Sequence, residues 1–192
     1  MIGGSVIEKH VESFHESHPM TPVTNVEFFH ESNPMDESLR KILLDESDKI
    51  DYDMSHRTNV KASMSSWTSV VDSPGVKMLE KWIFKYPLGQ YLNKGFKFVI
   101  NNAWFAKYSI GENTINHMHL PAVFSFVYFI QSPTGSSPLV LTTSKVEIKP
   151  EEGKFVMFPS TLYHHVPPNK CDNRIVLAGN ICAIPDDYKE AK

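Results

Sequence analysis

The second half of the chain alternates short apolar runs with turn-forming segments, a pattern typical of β-strands packed in sheets. The turn-forming segments, at 111–113, 133–138, 150–153 and 167–170, contain Gly, Pro, Asn and Ser. The runs are rich in β-branched and aromatic residues, and they lie at 98–108, 123–130, 139–143, 146–149, 155–158 and 175–184. This number of short strands predicts a double-stranded β-helix, that is, a jelly-roll or cupin-like barrel, with its core at about 96–184.

Helical patterns precede the barrel. Residues 76–85 place apolar side chains on one face, and Pro87 ends the pattern. Farther upstream, Asn33 suits a helix cap and Pro34 suits the first helical position, before leucine and isoleucine at helical spacing. The sequence therefore predicts an all-β core with flanking helices, an α+β arrangement in which the helices come first.

The N-terminal region contains a duplicated segment, 11–20 and 26–35. Two copies are too few for a solenoid, and only the second copy runs into a helix start. We therefore expect residues 1–22 to form a mobile arm and residues 23–192 to form a single domain. The histidines of this region are interpreted as surface residues rather than as a metal site: His10, His15, His18 and His30.

Composition narrows the classes of function. Hydrophobic residues make up 41% of the 192 residues, charged residues make up 21%, and the net charge is -3. This charge gives no electrostatic reason to expect a nucleic acid partner. The sequence has no apolar run long enough for a membrane helix and no secretory signal, so a cytoplasmic protein without a membrane partner is expected. Cys171 and Cys182 are expected to be free thiols.

Three histidines of the β-rich half form a candidate metal site. His117 and His119 are alternate residues of an extended segment, so both side chains lie on one face. His164 follows the strand at 155–158 and supplies a third imidazole. Such a set leaves metal positions open for a co-substrate and dioxygen in non-haem Fe(II) enzymes. A three-histidine zinc site and a surface pair of histidines are the alternatives.

Arg174 is a candidate anchor for a carboxylate. It begins the last apolar strand, where an arginine that points into a barrel is costly unless it meets an anion. A guanidinium binds a carboxylate through two parallel hydrogen bonds. An arginine at a strand start is more often a surface residue, and its position ten residues after His164 is what favours the anchor interpretation.

The candidate residues belong to a longer series of motifs that is similar to that of a known family. Trp104, then Gly111-Glu112, then His117-Met118-His119 stand at the family's spacing, followed by the strand Ser125-Phe126-Val127-Tyr128. Farther on, the order of motifs continues with Pro150, Gly153, Phe158-Pro159-Ser160, His164-His165-Val166, Pro168-Asn169, Arg174 and Gly179-Asn180. Over most of 57–184 the chain resembles the small 2-oxoglutarate/Fe(II)-dependent oxygenases of bacteria and their phages.

The resemblance implies a dioxygenase that couples oxidative decarboxylation of 2-oxoglutarate to hydroxylation of a substrate, with Fe(II), 2-oxoglutarate and dioxygen as cofactors. It implies no catalytic residue beyond the metal ligands, and a location in the cytoplasm of a bacterium or of a phage-infected host. It implies the metal ligands His117, His119 and His164, the co-substrate residue Arg174 with Tyr108 as a second contact, and the pocket residues Ser125, Trp104, Asn180 and His165. In this resemblance His164 binds the metal and His165 does not.

The chain departs from the family pattern at three positions. His119 stands where the commonest pattern has Asp, so the ligand set has one negative charge fewer. Ala106 replaces an Asn near the co-substrate, and Val176 replaces a Ser that would bind the same carboxylate as Arg174. Tyr108 is the candidate replacement for that hydroxyl.

Two alternatives from other classes stay open. One is a cupin-type metalloenzyme that does not use 2-oxoglutarate, and the other is a non-catalytic barrel that serves as a binding module. Arg174 distinguishes the oxygenase from the cupin-type metalloenzyme, which has no required role for it. The departures at Ala106, His119 and Val176 are what motivate the binding module. The substrate stays open between a small molecule and a peptidyl group, and a homodimer is an open prospect.

Overall fold

The computed structural model describes residues 30–32, 37–89 and 95–185. Within these ranges it contains the following elements in chain order: β1 (His30–Ser32), α1 (Glu37–Lys49), β2 (Val60–Lys61), β3 (Ser63–Met64), α2 (Pro74–Lys85), β4 (Phe96–Tyr108), β5 (Asn113–His117), β6 (Phe124–Gln131), β7 (Leu139–Leu141), β8 (Val146–Ile148), β9 (Phe155–Pro159), β10 (His164–Val166) and β11 (Arg174–Pro185). The expected N-terminal arm, 1–22, lies outside the described residues.

The strands form two antiparallel sheets. The six-stranded sheet has the order β1-β9-β6-β11-β4-β3, and the five-stranded sheet has the order β2-β5-β10-β7-β8. Neighbours such as β4 and β11 are far apart in the sequence, because the chain crosses to the other sheet and back between them. Such crossovers are typical of a jelly roll. The predicted jelly roll with preceding helices is confirmed.

Two apolar clusters hold these layers together. The first joins the helices to the outer face of the six-stranded sheet, and Leu43 and Ile83 pack there with Phe105 and Leu177. The second fills the space between the two sheets, and it contains residues of both. The six-stranded sheet is therefore covered on both faces, which explains why its strands are almost continuously apolar rather than alternating.

Strand β4 shows how one strand serves both layers. Ala103 and Phe105 face the helices, whereas Trp104, Ala106 and Tyr108 face the space between the sheets. Side chains at alternate positions therefore have different tasks. The helix-facing set stabilises the fold, and the inward-facing set lines the interior of the sandwich.

Helix α2 begins two residues before the predicted start at 76. Ser73 caps it by accepting a hydrogen bond from the backbone N–H of Val76, and Pro74 takes the first helical position. A carboxylate of helix α1 adds to this cap, because Glu46 accepts hydrogen bonds from the Ser73 hydroxyl at 2.7 Å and from Gly75 N–H at 2.7 Å. The α2 N-terminus thereby joins the two helices.

Helix α1 begins at Glu37, and the predicted cap at Asn33 lies outside the described residues. No helix in the described part of the chain has the length and apolar character to span a membrane. Cys171 and Cys182 are free thiols, as predicted.

Gly179 occupies the tightest backbone position of the central strand pair. A Cβ atom at this position would lie 2.6 Å from the Asn102 backbone oxygen and 2.6 Å from Cζ of Phe126. Both distances are shorter than any non-bonded contact to carbon, so β4 and β6 can approach β11 here only because the side chain is absent.

We predict that Gly179→Ala lowers the free energy of unfolding by about 1–3 kcal/mol, because β11 must separate from its neighbours. Gly89→Ala is the matched control, since its Cβ would have only the Phe84 backbone oxygen nearby, at 3.8 Å. That control should stay within about 0.5 kcal/mol of the parent protein. Urea unfolding curves measure both variants, and equal effects would contradict this account of Gly179.

Candidate metal centre and co-substrate pocket

Two adjacent short strands bring the histidines together. His117 ends β5, His164 begins β10, and the two residues are direct partners across this strand pair. His119 follows β5, and its backbone N–H donates to the Ser160 oxygen at 2.9 Å. As a result, one ring nitrogen from each of His117, His119 and His164 lies within 4.8 Å of the others.

Backbone carbonyls orient two of the three rings. Nδ1 of His117 lies 2.8 Å from the Ile115 oxygen, and Nδ1 of His164 lies 2.9 Å from the Leu162 oxygen. These contacts place the proton on Nδ1 and leave a lone pair on Nε2 of each ring. Metal-binding histidines in proteins are commonly oriented by a hydrogen bond of this kind.

The spacing of the free nitrogens suits a shared ion. Nε2 of His117 and Nε2 of His119 lie 3.1 Å apart, so a proton or a cation must separate their lone pairs. Two nitrogens that bind one ion at about 2.1 Å and a right angle would stand roughly 3.0 Å apart. The donor set therefore fits a divalent transition metal that accepts imidazole, which includes Fe(II) and Zn(II).

Burial keeps these imidazoles in the neutral form that binds metal. Burial, together with the charges of His117 and His119, lowers the pKa of His164 to about 3. Burial and the neighbouring His117 lower the pKa of His119 to about 4. The pKa of His117 is also lowered, again chiefly by burial. Among the described residues, no carboxylate lines the cavity around the three rings.

Arg174 is the other unusual residue of this cavity. It begins β11 opposite Tyr108, and its side chain is only 1% exposed. The guanidinium carbon lies 4.6 Å from the centre of the Tyr108 ring and 5.6 Å from that of Phe129. Two of its nitrogens, Nε and Nη1, are buried without a hydrogen-bond partner. These two nitrogens are thus desolvated and lack an acceptor, while the guanidinium also has a side-chain hydrogen bond with Tyr108.

The two unbonded nitrogens of the buried Arg174 guanidinium are unfavourable for stability. Burial lowers the pKa of Arg174, while Tyr108 and Cys171 act in the opposite direction. An arginine remains protonated in proteins, so burial leaves a cation for which the described residues provide no carboxylate partner. A bound anion would supply the missing acceptors, and a carboxylate matches the shape of the fork. The pocket therefore fits a carboxylate ligand such as one end of 2-oxoglutarate.

One cavity contains both features. It lies between the two sheets, and its lining includes the three histidines and Arg174. Apolar side chains such as Val127 and Val176 form much of the rest of the wall. The imidazoles and the guanidinium therefore line the same space.

The other predicted pocket residues take different places. Trp104 lines the cavity with its ring 5.7 Å from that of His119, and Ser125 lines it too. Tyr108 lines the cavity with its hydroxyl 2.7 Å from that of Thr114. Asn180 lies behind Ser125, which donates to its Oδ1 at 2.8 Å.

His165 lies outside this cavity. Its Nδ1 is 2.9 Å from the hydroxyl of Thr142, and it lines a shallow depression on the outside of the five-stranded sheet. Alternation along β10 explains this, because His164 and His165 are consecutive residues and point to opposite faces.

Two contributors to the site were missed in the sequence. Thr114 holds the Tyr108 hydroxyl, and Ser160 holds the backbone of His119. Ser160 belongs to the recognised Phe-Pro-Ser motif, so its presence was noted but its task was not. Thr114 has no signal in the sequence, because the turn at 111–113 hides the start of β5.

Known proteins share parts of this sequence and this fold. Residues 138–180 match the family model described as "Putative 2OG-Fe(II) oxygenase". No curated protein matches the sequence. A viral collagen prolyl hydroxylase from Paramecium bursaria Chlorella virus-1, solved with 2-oxoglutarate, has a similar structure, with a TM-score of 0.64, 14% identity, and coverage of 80% of this chain and 94% of that chain.

Two further solved structures are similar. A Pseudomonas putida prolyl-4-hydroxylase has a TM-score of 0.62 and 17% identity, covering 80% of this chain and 92% of that chain. A Trichoplax adhaerens prolyl hydroxylase, in complex with a hypoxia-inducible factor peptide fragment, has a TM-score of 0.56 and 17% identity, covering 79% and 82%.

These findings confirm two predictions, the resemblance to 2-oxoglutarate/Fe(II) oxygenases and the jelly-roll fold. The family match also bears out the predicted enzyme class, a 2-oxoglutarate- and Fe(II)-dependent dioxygenase, with its cofactors. The structural neighbours, at identities of 14% and 17%, speak for the fold.

We predict that the metal-free protein loses stability as the pH falls below about 6.5, the value for an unfolded histidine. The folded-state pKa values of His119 and His164 are lower, about 4 and about 3, so the unfolded chain takes up protons first. Each such imidazole adds about 1.4 kcal/mol per pH unit to the loss within this window. Melting temperatures between pH 7.5 and 4.5 measure it.

His164→Gln should flatten this pH dependence, because it removes one of the buried imidazoles. His165→Gln is the matched control, since its ring lies outside the cavity, and it should follow the parent protein. Identical slopes for the two variants would contradict the assignment of the proton uptake to the buried site.

Proposed function

We propose that this chain is a 2-oxoglutarate-dependent hydroxylase whose Fe(II) is bound by His117, His119 and His164, and whose co-substrate is anchored by Arg174. The observation that supports this most directly is a buried guanidinium with two unbonded nitrogens in the same cavity as three converging neutral imidazoles. Neither a plain cupin metal site nor a structural barrel needs such a cation.

The proposed cofactors supply the oxidising chemistry. When bound, Fe(II), 2-oxoglutarate and dioxygen provide the power to hydroxylate a C–H bond, with succinate and carbon dioxide as products. The protein has to bind these partners, orient them and exclude water. Each of these tasks corresponds to a part of the cavity.

The imidazoles provide the ligands. Three protein donors leave positions for a chelating co-substrate and dioxygen. Carbonyl contacts at His117 and His164 hold the rings in the required tautomer. Because all three donors are neutral, the site is one negative charge poorer than one with a carboxylate ligand, and the negative charge of the co-substrate becomes correspondingly more important for holding the metal.

Arg174 and its neighbours provide the other end of the pocket. The fork offers Nε and Nη1 to a distal carboxylate, and the Tyr108 and Phe129 rings restrict its movement. We assign Tyr108 as the second co-substrate contact, because its hydroxyl is fixed by Thr114 beside the guanidinium. The apolar wall keeps water away and strengthens these charge-assisted bonds.

The finer proposal is that the substrate is a peptidyl group. The viral neighbour is named a collagen prolyl hydroxylase, and the Trichoplax neighbour is in complex with a peptide fragment. The similarity in fold to these two proteins is what supports a peptidyl substrate for the present chain.

We predict that His119→Gln and His164→Gln each weaken Fe(II) binding by more than about 100-fold, because each removes a direct ligand, whereas loss of an outer contact costs about 10–100-fold. His165→Gln should leave binding unchanged. The measurement is the visible charge-transfer band of anaerobic protein with Fe(II) and 2-oxoglutarate. A parent protein that stays folded, binds Zn(II) and never shows this band would contradict the oxygenase proposal.

We predict that Arg174→Met weakens 2-oxoglutarate binding by about 100-fold, since two charge-assisted hydrogen bonds of about 1.5 kcal/mol each are lost. Titration of the same band with 2-oxoglutarate measures the effect. Arg57→Ala is the control, because Arg57 is an exposed arginine outside the cavity. An unchanged affinity in Arg174→Met would contradict the anchor assignment and favour a metalloenzyme that does not use 2-oxoglutarate.

A further inference from the structure

A second, open cavity adjoins His119. We call it the amide groove and define it by Trp67, Asn101, Asn102, His119, Leu120 and Asn180. Its volume is about 420 Å³, which is within the range of ligand sites in proteins. His119 is the one residue that lines both this groove and the metal cavity.

The amide groove is uncharged. None of the described residues that line it is a Lys, Arg, Asp or Glu, although such residues make up 21% of the chain. A groove of this kind provides no attraction for phosphate or carboxylate groups, and it favours a neutral occupant.

Large apolar side chains form its rim. Trp67 is 44% exposed and Leu120 is 61% exposed. The entrance of the groove is therefore apolar, whereas its floor is polar. Exposed apolar surface of this kind is typical of sites that bind a partner. An aromatic side chain here can also stack on a flat or cyclic apolar group.

The floor of the groove contains the side-chain amide of Asn102, which a chain of buried hydrogen bonds holds in place. Ser160 and Ser125 have their hydroxyls 2.8 Å apart, Ser125 donates to Oδ1 of Asn180 at 2.8 Å, and Nδ2 of Asn180 donates to Oδ1 of Asn102 at 2.8 Å. Ser160, Ser125 and Asn180 are all buried. In this assigned orientation the chain of bonds ends at Asn102 and leaves its Nδ2 donors available to the groove.

The same hydrogen-bond chain reaches the metal ligand. The backbone of Ser160 accepts from His119 N–H at 2.9 Å and donates to the Val123 oxygen at 3.0 Å, so it holds both ends of the loop between them. The amide of Asn102 and the backbone of His119 are therefore fixed by one buried network. A group bound to Asn102 would be held at a set position relative to the proposed metal.

We infer that the amide groove binds a neutral, extended segment of a peptide substrate, and that Asn102 is a specificity-determining residue that donates a hydrogen bond to a backbone carbonyl of that segment. This inference rests on the proposed function, because it places the substrate beside the proposed iron ligand. A peptide meets the chemistry of the groove, since its carbonyls accept from Asn102 while its apolar side chains cover Trp67 and Leu120. A nucleotide would bring phosphates into a site without cations.

Asn102→Asp tests the donor directly. The carboxylate keeps an oxygen that accepts from Asn180, but it replaces the Nδ2 donors with a negative oxygen that repels a carbonyl. We expect peptide affinity to fall at least tenfold, and by a larger factor than the affinity for 2-oxoglutarate, which the Fe(II)–2-oxoglutarate band reports in the same samples. Asn59→Asp is the matched control, because it adds the same charge at an exposed asparagine that does not line the groove.

The measurement is fluorescence polarisation on anaerobic protein loaded with Fe(II) and 2-oxoglutarate. The probes are labelled, end-capped peptides: neutral (Pro-Pro-Gly)5 and a neutral positional library of eleven-residue peptides, acidic and basic versions in which Asp or Lys replaces every third residue, and a ten-residue deoxythymidine oligonucleotide. Trp67→Ala serves as a second variant of the groove, and circular dichroism checks that each variant is folded.

The proposal is supported if neutral peptides bind best and if Asn102→Asp and Trp67→Ala both weaken binding while Asn59→Asp does not. It is overturned if no neutral peptide binds, if the acidic peptide or the oligonucleotide binds best, or if neither groove variant changes the affinity. The charge-transfer band in the same samples separates the two proposals. A band without peptide binding removes the groove alone, whereas peptide binding without a band removes the oxygenase assignment alone.

Discussion

The structure depends on a buried cation, Arg174, two of whose nitrogens have no acceptor among the described residues. A buried guanidinium without a carboxylate partner costs several kcal/mol, and Arg174 is 1% exposed with two nitrogens unbonded. The remainder of the sandwich has to be stable enough to tolerate this cost. Two separate apolar clusters provide that stability, one under the helices and one between the sheets. A bound carboxylate would supply the missing acceptors and remove this unfavourable energy. The burial that makes Arg174 destabilising in the free protein is therefore also what makes it a strong carboxylate site.

Much of the barrel was predictable from the sequence, because strands that are buried on both faces have continuous apolar runs in their sequences. Strands β4, β6, β9 and β11 were found within a few residues of their ends. Strands β5 and β10 were not predicted as strands, although they contain His117 and His164. Their sequences, Asn-Thr-Ile-Asn-His and His-His-Val, lack an apolar period because the side chains serve the site rather than the core. Residues that perform chemistry thus obscure the secondary structure that positions them.

The candidate site was predictable in its members and less so in its support. Histidine spacing and a lone arginine at a strand start were visible in the sequence, and the resemblance selected His164 over His165. The chain of hydrogen bonds from Ser160 to Asn102 was hidden, since its members lie on four segments distant in sequence. Only folding brings them together, and single serines and asparagines have no distinguishing pattern. A lining without charge is likewise a property of surfaces in three dimensions, not of any one stretch of chain.

The double burial of β4 and β11 limits how such a protein can change through evolution. On each strand, neighbouring positions alternate between the helix layer and the interior cavity, so inserting or deleting one residue would exchange the two sets. Arg174 would then meet the helices, and a core side chain would enter the pocket. Changes of length are therefore best tolerated in turns outside these strands, such as 133–138 and 150–153. Diversification of this fold is accordingly expected by exchange of side chains within the strands and by growth of the loops.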